Sequence, residues 1–373
     1  MKIILYIIFI LVPISIFAQD TKSKEFKIYG IVNADTGTIS IEMAEVKELY
    51  PLNFKNIKVN IKGGKFNITG KIDYPIWCVF RLGDKYVSSS TPIDFGKQTI
   101  ILNLDSNYQS PKNSNSITAE IAGFDKFFSN ANNLTTKYDI RYDSLAKIYK
   151  DKLPEEIKIS LAKERRMAFD SYDSTIMEYV KINPGSYYAL FKLYHLINFG
   201  YNKRLGSAYD YFSVSLKNSS YGKELNKNIL VAKTISVGAI IPEFKVINSK
   251  GEKIHPKPYG LNKYTLVDFW YSSCRPCLSQ FPDLIKIRSQ YASKGFEIIG
   301  ISIDKEKYLK DWEDAIVKHK MSWPQYLDLN GLEAKGLNIK VFPTNFLVNQ
   351  SGRIIATNIL PAELKNFLTE NLN

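Results

Sequence analysis

The stretch that decides the fold of the C-terminal region covers residues 264–277 and reads YTLVDFWYSSCRPC. Its first half, residues 264–270, is a nearly continuous apolar run, which is typical of a β-strand covered on both faces. A helix is predicted from about residue 275 to residue 291, so two cysteines fall at its start. Strands and helices continue to alternate towards the C-terminus. This alternation predicts a sheet with helices on both of its faces.

Cys274 and Cys277 form a Cys-x-x-Cys pair with Arg275 and Pro276 between them. At a helix start, backbone N–H groups and the helix dipole stabilise a thiolate, and Arg275 adds a positive charge beside it. Both effects are expected to lower the pKa of Cys274, which would then be the nucleophile in disulfide exchange. Cys277 lies one turn later, close enough to attack the resulting mixed disulfide. Pro276 stiffens the turn and suits the first positions of a helix.

A zinc half-site and a passive short disulfide are the two alternatives to redox chemistry for this pair. Zinc would need two more ligands, and the chain offers only Cys78, His195, His255 and His319, none in a paired spacing. The strand-then-helix setting favours thiol chemistry over both alternatives. No metal or other cofactor is expected, because the sequence contains no clustered ligands and no phosphate-cradling glycine loop.

The segment 268–277 resembles the active-site segment of thioredoxins, and residues 237–373 resemble the TlpA/ResA-like branch of that superfamily. The second resemblance is carried by VG at 237–238 with IPEF at 241–244, FP at 281–282, GISID at 300–304 and VFPT at 341–344. It implies a thioredoxin-like α/β fold and a thiol-disulfide oxidoreductase. It places Cys274 and Cys277 in the nucleophilic and resolving positions.

The resemblance also implies roles for three further residues. Pro343 would follow a cis peptide bond, with its loop packed against the cysteine pair and presenting backbone to an extended substrate. Asp268 lies where thioredoxins keep a buried acid that accepts the proton of the resolving thiol, and burial would raise its pKa. A strand-end aspartate with a structural hydrogen bond is the alternative for Asp268. Trp270 is expected to pack beneath the active-site loop.

Three positions depart from the family pattern. Ser273 replaces the tryptophan that usually precedes the first cysteine, which is expected to remove a local apolar shelf. Gln280 stands where TlpA-like proteins often carry a glutamate, so acid–base tuning from that position is lost. Phe342, directly before Pro343, is bulky and is expected to narrow the range of substrates.

The first twenty residues have the parts of a secretory signal. Lys2 precedes an apolar run over residues 3–17, and Ala18 is a small residue suited to cleavage. A membrane anchor is the alternative, but the run is shorter than the ~20 residues that span a bilayer, and Pro13 interrupts it. We therefore predict a signal peptide over residues 1–18. The mature protein is expected to be soluble, not membrane-spanning, and located in the periplasm or cell envelope.

The formal net charge of the 373-residue chain is +13, and loss of Lys2 with the signal lowers it by one. The lysines are scattered through every segment, whereas a nucleic-acid binder would gather them on one face. The charge is therefore interpreted as a solvated surface that favours acidic partners or the anionic envelope surface, and no nucleic acid is expected to bind.

Two further regions precede the thioredoxin-like one. Residues 26–107 alternate between apolar and polar positions around a Gly-Gly hairpin and predict an all-β, sandwich-like domain. After a Ser-, Asn- and Pro-rich linker, residues 117–234 switch to helical spacing and predict an α-helical domain. The fold class is therefore multidomain, with the α/β thioredoxin-like domain over residues 237–373.

Three features of these N-terminal regions each allow two interpretations. The aromatic stripe on the helices is interpreted as core between helices, with a binding groove as the alternative. His195 is interpreted as a packed residue and not a ligand. Cys78 is expected to be a buried, inert thiol, with a third redox cysteine as the alternative.

Three functions are compatible with these features of the sequence. The favoured one is an exported oxidoreductase that reduces disulfides of envelope proteins and receives electrons from a membrane thiol protein. A peroxiredoxin-like thiol peroxidase would share the fold, but it would need a peroxidatic cysteine in a proline-led loop with nearby Thr and Arg. A binding or scaffold protein would use residues 26–234 to recognise an envelope partner. The motif does not set the direction of exchange, because ~30 mV of reduction potential corresponds to only ~1.4 kcal/mol.

Overall fold

A computed structural model describes residues 24–44, 57–150, 153–248, 250–254, 256–258 and 260–372. The predicted signal peptide over residues 1–18 lies outside the described residues, as does His255. Within the described residues, a β-rich region, a helical region and an α/β region follow one another along the chain. The predicted multidomain fold class is thereby confirmed.

The β-rich region forms one sheet that curls around its own apolar interior. Its described strands are β1 (Lys24–Val32), β2 (Thr36–Met43), β3 (Ile57–Lys62), β4 (Lys65–Ile72), β5 (Ile76–Leu82), β6 (Tyr86–Val87), β7 (Thr91–Ile93), β8 (Gly96–Leu102) and β9 (Lys112–Asn113). Their order is β6-β5-β2-β3-β4-β1-β8-β9, with β7 paired to β5. Phe66 of β4 and Phe80 of β5 meet in the interior with ring centroids 6.3 Å apart. Because β4 and β5 are not neighbours in the sheet, this contact requires the sheet to fold over.

The helical region packs against this sheet through aromatic side chains. Its described helices are α1 (Ser116–Phe127), α2 (Ser129–Tyr149), α3 (Glu155–Ile182), α4 (Tyr187–Leu196), α5 (Lys203–Tyr211), α6 (Val214–Asn218) and α7 (Ser220–Thr234). Trp77 of β5 stacks on Phe191 of α4 with ring centroids 3.9 Å apart. Phe124 of α1 stands edge-on to Tyr179 of α3 at 4.9 Å. Aromatic rings therefore supply core between helices and between the helices and the sheet.

Two consecutive helices are separated by a short break, since α5 ends at Tyr211 and α6 starts at Val214. Ser213 causes the new start, because its hydroxyl accepts the backbone N–H of Leu216 at 3.3 Å as an N-cap. None of the helices in the described ranges is both long enough and apolar enough to cross a membrane.

The C-terminal region is built on a second sheet. Its described strands are β10 (Val246–Ile247), β11 (Lys253–Ile254), β12 (Tyr264–Trp270), β13 (Phe296–Ser302), β14 (Gln325–Leu327), β15 (Thr344–Asn349) and β16 (Ile354–Thr357). Its described helices are α8 (Arg275–Tyr291), α9 (Leu309–Lys318), α10 (Leu332–Gly336) and α11 (Pro361–Asn371). The strand order is β11-β10-β14-β13-β12-β15-β16. Strand β12 runs parallel to β13 and antiparallel to β15.

Strand β12 is buried on both faces, as its apolar sequence predicted. Leu266 and Trp270 belong to one apolar cluster, together with residues of α8 and α11. Val267 and Phe269 belong to a second cluster on the other face of the sheet. The strand therefore holds its C-terminal end, which leads into the cysteine pair, in a fixed position between two layers.

The helical region contacts the α/β region through ion pairs. Lys158 of α3 pairs with Asp283 of α8. Arg166 of α3 pairs with Glu363 of α11 at 3.0 Å. One face of α3 thus lies along the two helices that cover the same side of the second sheet.

Candidate active site

Cys274 and Cys277 are joined in a disulfide at the first turn of α8. Cys274 is the N-cap residue of that helix, and its Sγ accepts the backbone N–H of Cys277 at 3.2 Å. The helix starts well here because Pro276 lies in its first turn, where the missing N–H of proline costs no hydrogen bond. Each cysteine is 1% exposed, whereas Arg275 and Pro276 are exposed beside them. After reduction, the same N–H group would stabilise a thiolate on Cys274.

Trp270 supports the turn that leads from β12 into the cysteine pair. Its indole is fully buried, and Nε1 donates to Gln325 Oε1 at 3.2 Å. Its ring stands edge-on to Phe281 of α8, with centroids 5.3 Å apart. The backbone N–H of Cys274 donates to the carbonyl of Tyr271 at 3.0 Å and closes the turn. In this conformation Trp270 packs beneath the turn and offers no surface to a substrate.

The Phe342–Pro343 peptide bond is cis, and it lies next to the end of β12. Thr344 follows as the first residue of β15 and pairs with Phe269 of β12. The half-buried ring of Phe342 stands edge-on to Tyr271, with centroids 5.6 Å apart. Both rings pack against the apolar cluster that contains the two cysteines. The structure thus brings the proline loop and the cysteine turn together.

Asp268 is a buried acid on the α8 side of β12. It lies two residues from Leu266 and Trp270, so its side chain points to the same face as theirs. Asp268 is 3% exposed, and its Oδ1 has no hydrogen-bond partner among the described residues. Burial raises the pKa of Asp268 from its ordinary value to about 7, because desolvation penalises the charged carboxylate. An acid with this pKa can take up and release a proton near neutral pH.

The third cysteine has a different environment. Cys78 belongs to the core of the N-terminal sheet, where its Sγ lies 3.7 Å from Met43 Sδ. Burial raises the pKa of the Cys78 thiol well above its ordinary value, so the reactive thiolate is strongly disfavoured. Within the ranges that the structure describes, no group of three or more His, Cys, Asp or Glu side chains is arranged to hold a metal ion.

Asp304 is a residue of this site that the sequence did not reveal. Its carboxylate accepts the backbone N–H and the hydroxyl of Ser272, each at 2.8 Å. The sequence carries only a weak indication of this role, since Asp304 is the last residue of the segment 300–304 that resembles the family. Its contact partner is 32 residues away along the chain, and only the tertiary fold brings the two together.

Comparisons with known proteins agree on the C-terminal region. Residues 237–357 match the model of the AhpC/TSA family. The thiol-disulfide oxidoreductase ResA of Bacillus thuringiensis subsp. konkukian is 26% identical over 121 residues, which cover 32% of this chain and 68% of that protein. The sporulation thiol-disulfide oxidoreductase A of Bacillus subtilis is 31% identical over 98 residues, or 26% of this chain and 59% of that protein. A solved thiol-disulfide oxidoreductase from Bacteroides fragilis is 35% identical, covering 35% of this chain and 98% of that chain with a TM-score of 0.32.

The family match and the ResA relatives define the class of protein: the chain is a thiol-disulfide oxidoreductase with a thioredoxin-like domain. Within the thioredoxin superfamily, the C-terminal region is TlpA/ResA-like. This assignment rests on the C-terminal region, which is the part that the family model matches.

Proposed function

We propose that the protein is exported and that it reduces disulfides of envelope proteins through the Cys274–Cys277 pair. The observation that carries the proposal is the position of the pair at the N-terminus of α8, next to the loop with the cis peptide bond before Pro343. The ResA relatives support the reaction class. The absence of other reactive thiols in the described regions also supports it, because the remaining cysteine is buried in another core.

In the reductive direction, the protein starts with both cysteines as thiols. The Cys274 thiolate attacks one sulfur of the substrate disulfide, and the other substrate sulfur leaves as a thiolate that takes up a proton. The Cys277 thiolate then attacks Cys274 Sγ in the mixed disulfide, and the second substrate sulfur leaves. The substrate has gained two electrons and two protons, and the Cys274–Cys277 disulfide has formed.

Cys277 must lose its proton before it attacks the mixed disulfide. Asp268 is the proposed acceptor, because it is buried on the same side of the sheet as α8 and its pKa is raised to about 7. The loop at Pro343 would offer backbone groups to an extended substrate segment. Arg275 and Pro276 are exposed beside the pair and would contact the same segment.

Each turnover leaves the pair oxidised, so a donor of two electrons is required. We assign this role to a membrane protein with a thiol pair, which would restore the two thiols by the same exchange chemistry. Export is inferred from residues 1–18, where Lys2 precedes the apolar run. The mature protein would then work in the periplasm or cell envelope without spanning the membrane.

Two single variants of the full chain test the proposed roles. Cys274→Ser should abolish the reduction of insulin disulfides by the protein with dithiothreitol as electron donor. Cys277→Ser, first reduced and then freed of dithiothreitol, should instead accumulate a mixed disulfide with insulin, visible by non-reducing electrophoresis. Cys78→Ser is the matched control and should keep wild-type turnover, because that thiol is buried. Turnover in both Cys274→Ser and Cys277→Ser would contradict the proposal.

The match to the AhpC/TSA family makes a thiol peroxidase the second candidate. A peroxidase would consume one equivalent of hydrogen peroxide rapidly in its reduced form, and Cys274→Ser would remove this activity. The proposed reductase should react slowly with peroxide and rapidly with a protein disulfide. The ratio of the two rate constants, measured on the same reduced sample, separates the two functions.

A further inference from the structure

The carboxylate of Asp304 is fixed at the end of β13 and is nearly excluded from solvent, with 5% of the residue exposed. The hydroxyl of Ser302, the last residue of β13, donates to Asp304 Oδ2 at 2.6 Å. The backbone N–H of Asp304 donates in turn to Ser302 Oγ at 3.0 Å. These two bonds orient the carboxylate relative to the sheet.

The fixed carboxylate holds the turn before the cysteine pair at two points. Ser272 donates its backbone N–H to Asp304 Oδ2 and its hydroxyl to Asp304 Oδ1, each at 2.8 Å. Two bonds from one residue to the two oxygens of one carboxylate fix an orientation as well as a distance. Hydrogen bonds to a carboxylate are roughly twice as strong as neutral ones, so these two bonds attach the turn strongly.

The same turn determines where the nucleophilic sulfur lies. Ser272 is two residues before Cys274, whose Sγ accepts the N–H of Cys277 as the N-cap of α8. A second attachment joins the backbone on either side, since Ile303 N–H donates to the carbonyl of Trp270 at 3.0 Å. The attachment of Ser272 to Asp304 is therefore only two residues from the residue that carries the sulfur.

We propose that Asp304 is a positioning residue of the oxidoreductase, which holds the turn from Ser272 to Cys274 so that Cys274 Sγ stays at the N-terminus of α8 after reduction. This inference rests on the proposed role of Cys274 as nucleophile. In this role Asp304 touches neither the sulfurs nor the substrate and acts only through the turn. Its own charge would have the opposite effect on Cys274, because a nearby carboxylate disfavours a thiolate.

The two opposing effects can be separated with two variants of the full chain. Ser272→Ala keeps the charge of Asp304 and removes one hydrogen bond to it. Asp304→Asn removes the charge and replaces one acceptor oxygen by an NH2 group, which cannot accept a hydrogen bond from Ser272. Ser289→Ala, at an exposed position later in α8, is the matched control for serine removal.

The readout is the pH dependence of iodoacetamide alkylation at Cys274 in the reduced protein, followed by mass spectrometry of the peptide. Positioning predicts that Ser272→Ala moves the midpoint of the profile to higher pH. It predicts the same direction for Asp304→Asn, because the loss of the hydrogen bond outweighs the loss of the charge. The rate at pH 7 should fall by roughly three- to tenfold, the equivalent of about one hydrogen bond. Ser289→Ala should match the wild type.

Two outcomes would overturn the proposal. A midpoint that moves to lower pH in Asp304→Asn and stays unchanged in Ser272→Ala would mean that Asp304 acts by charge alone. Wild-type profiles in both variants would mean that the hydrogen bonds do not position the sulfur. If Asp304→Asn fails to fold, Ser272→Ala decides the question alone. Alkylation does not depend on turnover, so a wild-type protein that is inactive towards disulfides would contradict the proposed function and leave this test intact.

Discussion

The side-chain amide of Gln325 occupies the space in which a Cβ on Gly300 would stand. Gly300 lies on β13 and Gln325 directly opposite it on β14. The close approach allows Gln325 Oε1 to accept the indole N–H of the buried Trp270, beneath the cysteine turn. The absence of a side chain at Gly300 therefore leaves room for the Gln325 amide, which holds Trp270 beneath the cysteine turn.

Gly300→Ala should destabilise the protein, because the new methyl group displaces Gln325 and leaves the indole N–H of Trp270 buried without an acceptor. The expected loss in free energy of unfolding is about 1–3 kcal/mol. This loss in free energy is measured by urea denaturation, with fluorescence as the signal of unfolding. Gly336→Ala is the matched control, since, apart from its chain neighbours and the backbone of its own helix, no described residue has an atom within 4 Å of its Cβ position. Equal losses in the two variants would show that the contact with Gln325 is unimportant.

Phe342→Ala should widen access to the cysteine pair. The Phe342 ring packs against Tyr271 and the cluster containing both cysteines, which are 1% exposed. We expect the rate constant for a folded protein disulfide to rise by roughly three- to tenfold, while that for a small disulfide reagent changes little. Phe342→Leu keeps an apolar side chain and should lie between wild type and alanine. An equal change in the rate constants for the protein disulfide and the small reagent would show that Phe342 does not select substrates by size.

Asp268 should make stability depend on pH. Its pKa is raised from 3.8 to about 7 in the folded protein, so the unfolded chain binds fewer protons between about pH 4 and pH 7. Stability from this group is therefore greatest at low pH and is lost as pH rises to about 7. Asp268→Asn removes the effect and should be more stable than wild type at pH 8, by up to about 4 kcal/mol.

The comparison needs urea denaturation of both proteins at pH 5 and at pH 8. Other acids titrate equally in the two proteins, so the difference between their pH slopes isolates Asp268. Identical slopes would show that the pKa of Asp268 is not raised in the folded protein.

In Asp268→Asn, the mixed disulfide with insulin should also persist longer than in wild type, because Cys277 lacks its proton acceptor.

Lys158 and Asp283 should couple the unfolding of the helical and α/β regions. Both side chains are about one-quarter exposed, at 27% and 24%, so the pair is worth only about 0.5–1 kcal/mol. A double-mutant cycle with Lys158→Ala and Asp283→Ala should give a coupling energy of that size, reduced at high salt. A coupling energy of zero would show that this ion pair does not stabilise the contact between the two regions.

The central strand and the helix after it were predictable to the residue. The apolar run ends at Trp270, and Pro276 suits only the first turn of a helix, so two local signals mark the boundaries. The Gly63–Gly64 turn was equally clear, and both glycines have positive φ in the hairpin between β3 and β4. In each case the determining chemistry lies within a few neighbouring residues.

Features that depend on distant contacts were not predictable. Strand β14 has three residues, too few to show a period, and it exists because it pairs with β13. Phe342, which lies in another loop, packs against the apolar cluster that contains Cys274. Asp304 contacts Ser272 because the pairing of β12 with β13 brings the ends of the two strands side by side.

The reduction potential of the Cys274–Cys277 pair determines whether the protein can act as a reductase. The full chain is equilibrated in dithiothreitol or glutathione buffers, free thiols are alkylated, and the reduced fraction is counted by mass spectrometry. An envelope reductase predicts a value near that of thioredoxin, about −270 mV. A value near about −120 mV would make the pair an oxidant and contradict the reductive direction. A pair that never forms its disulfide in any of these buffers would contradict the proposed chemistry itself.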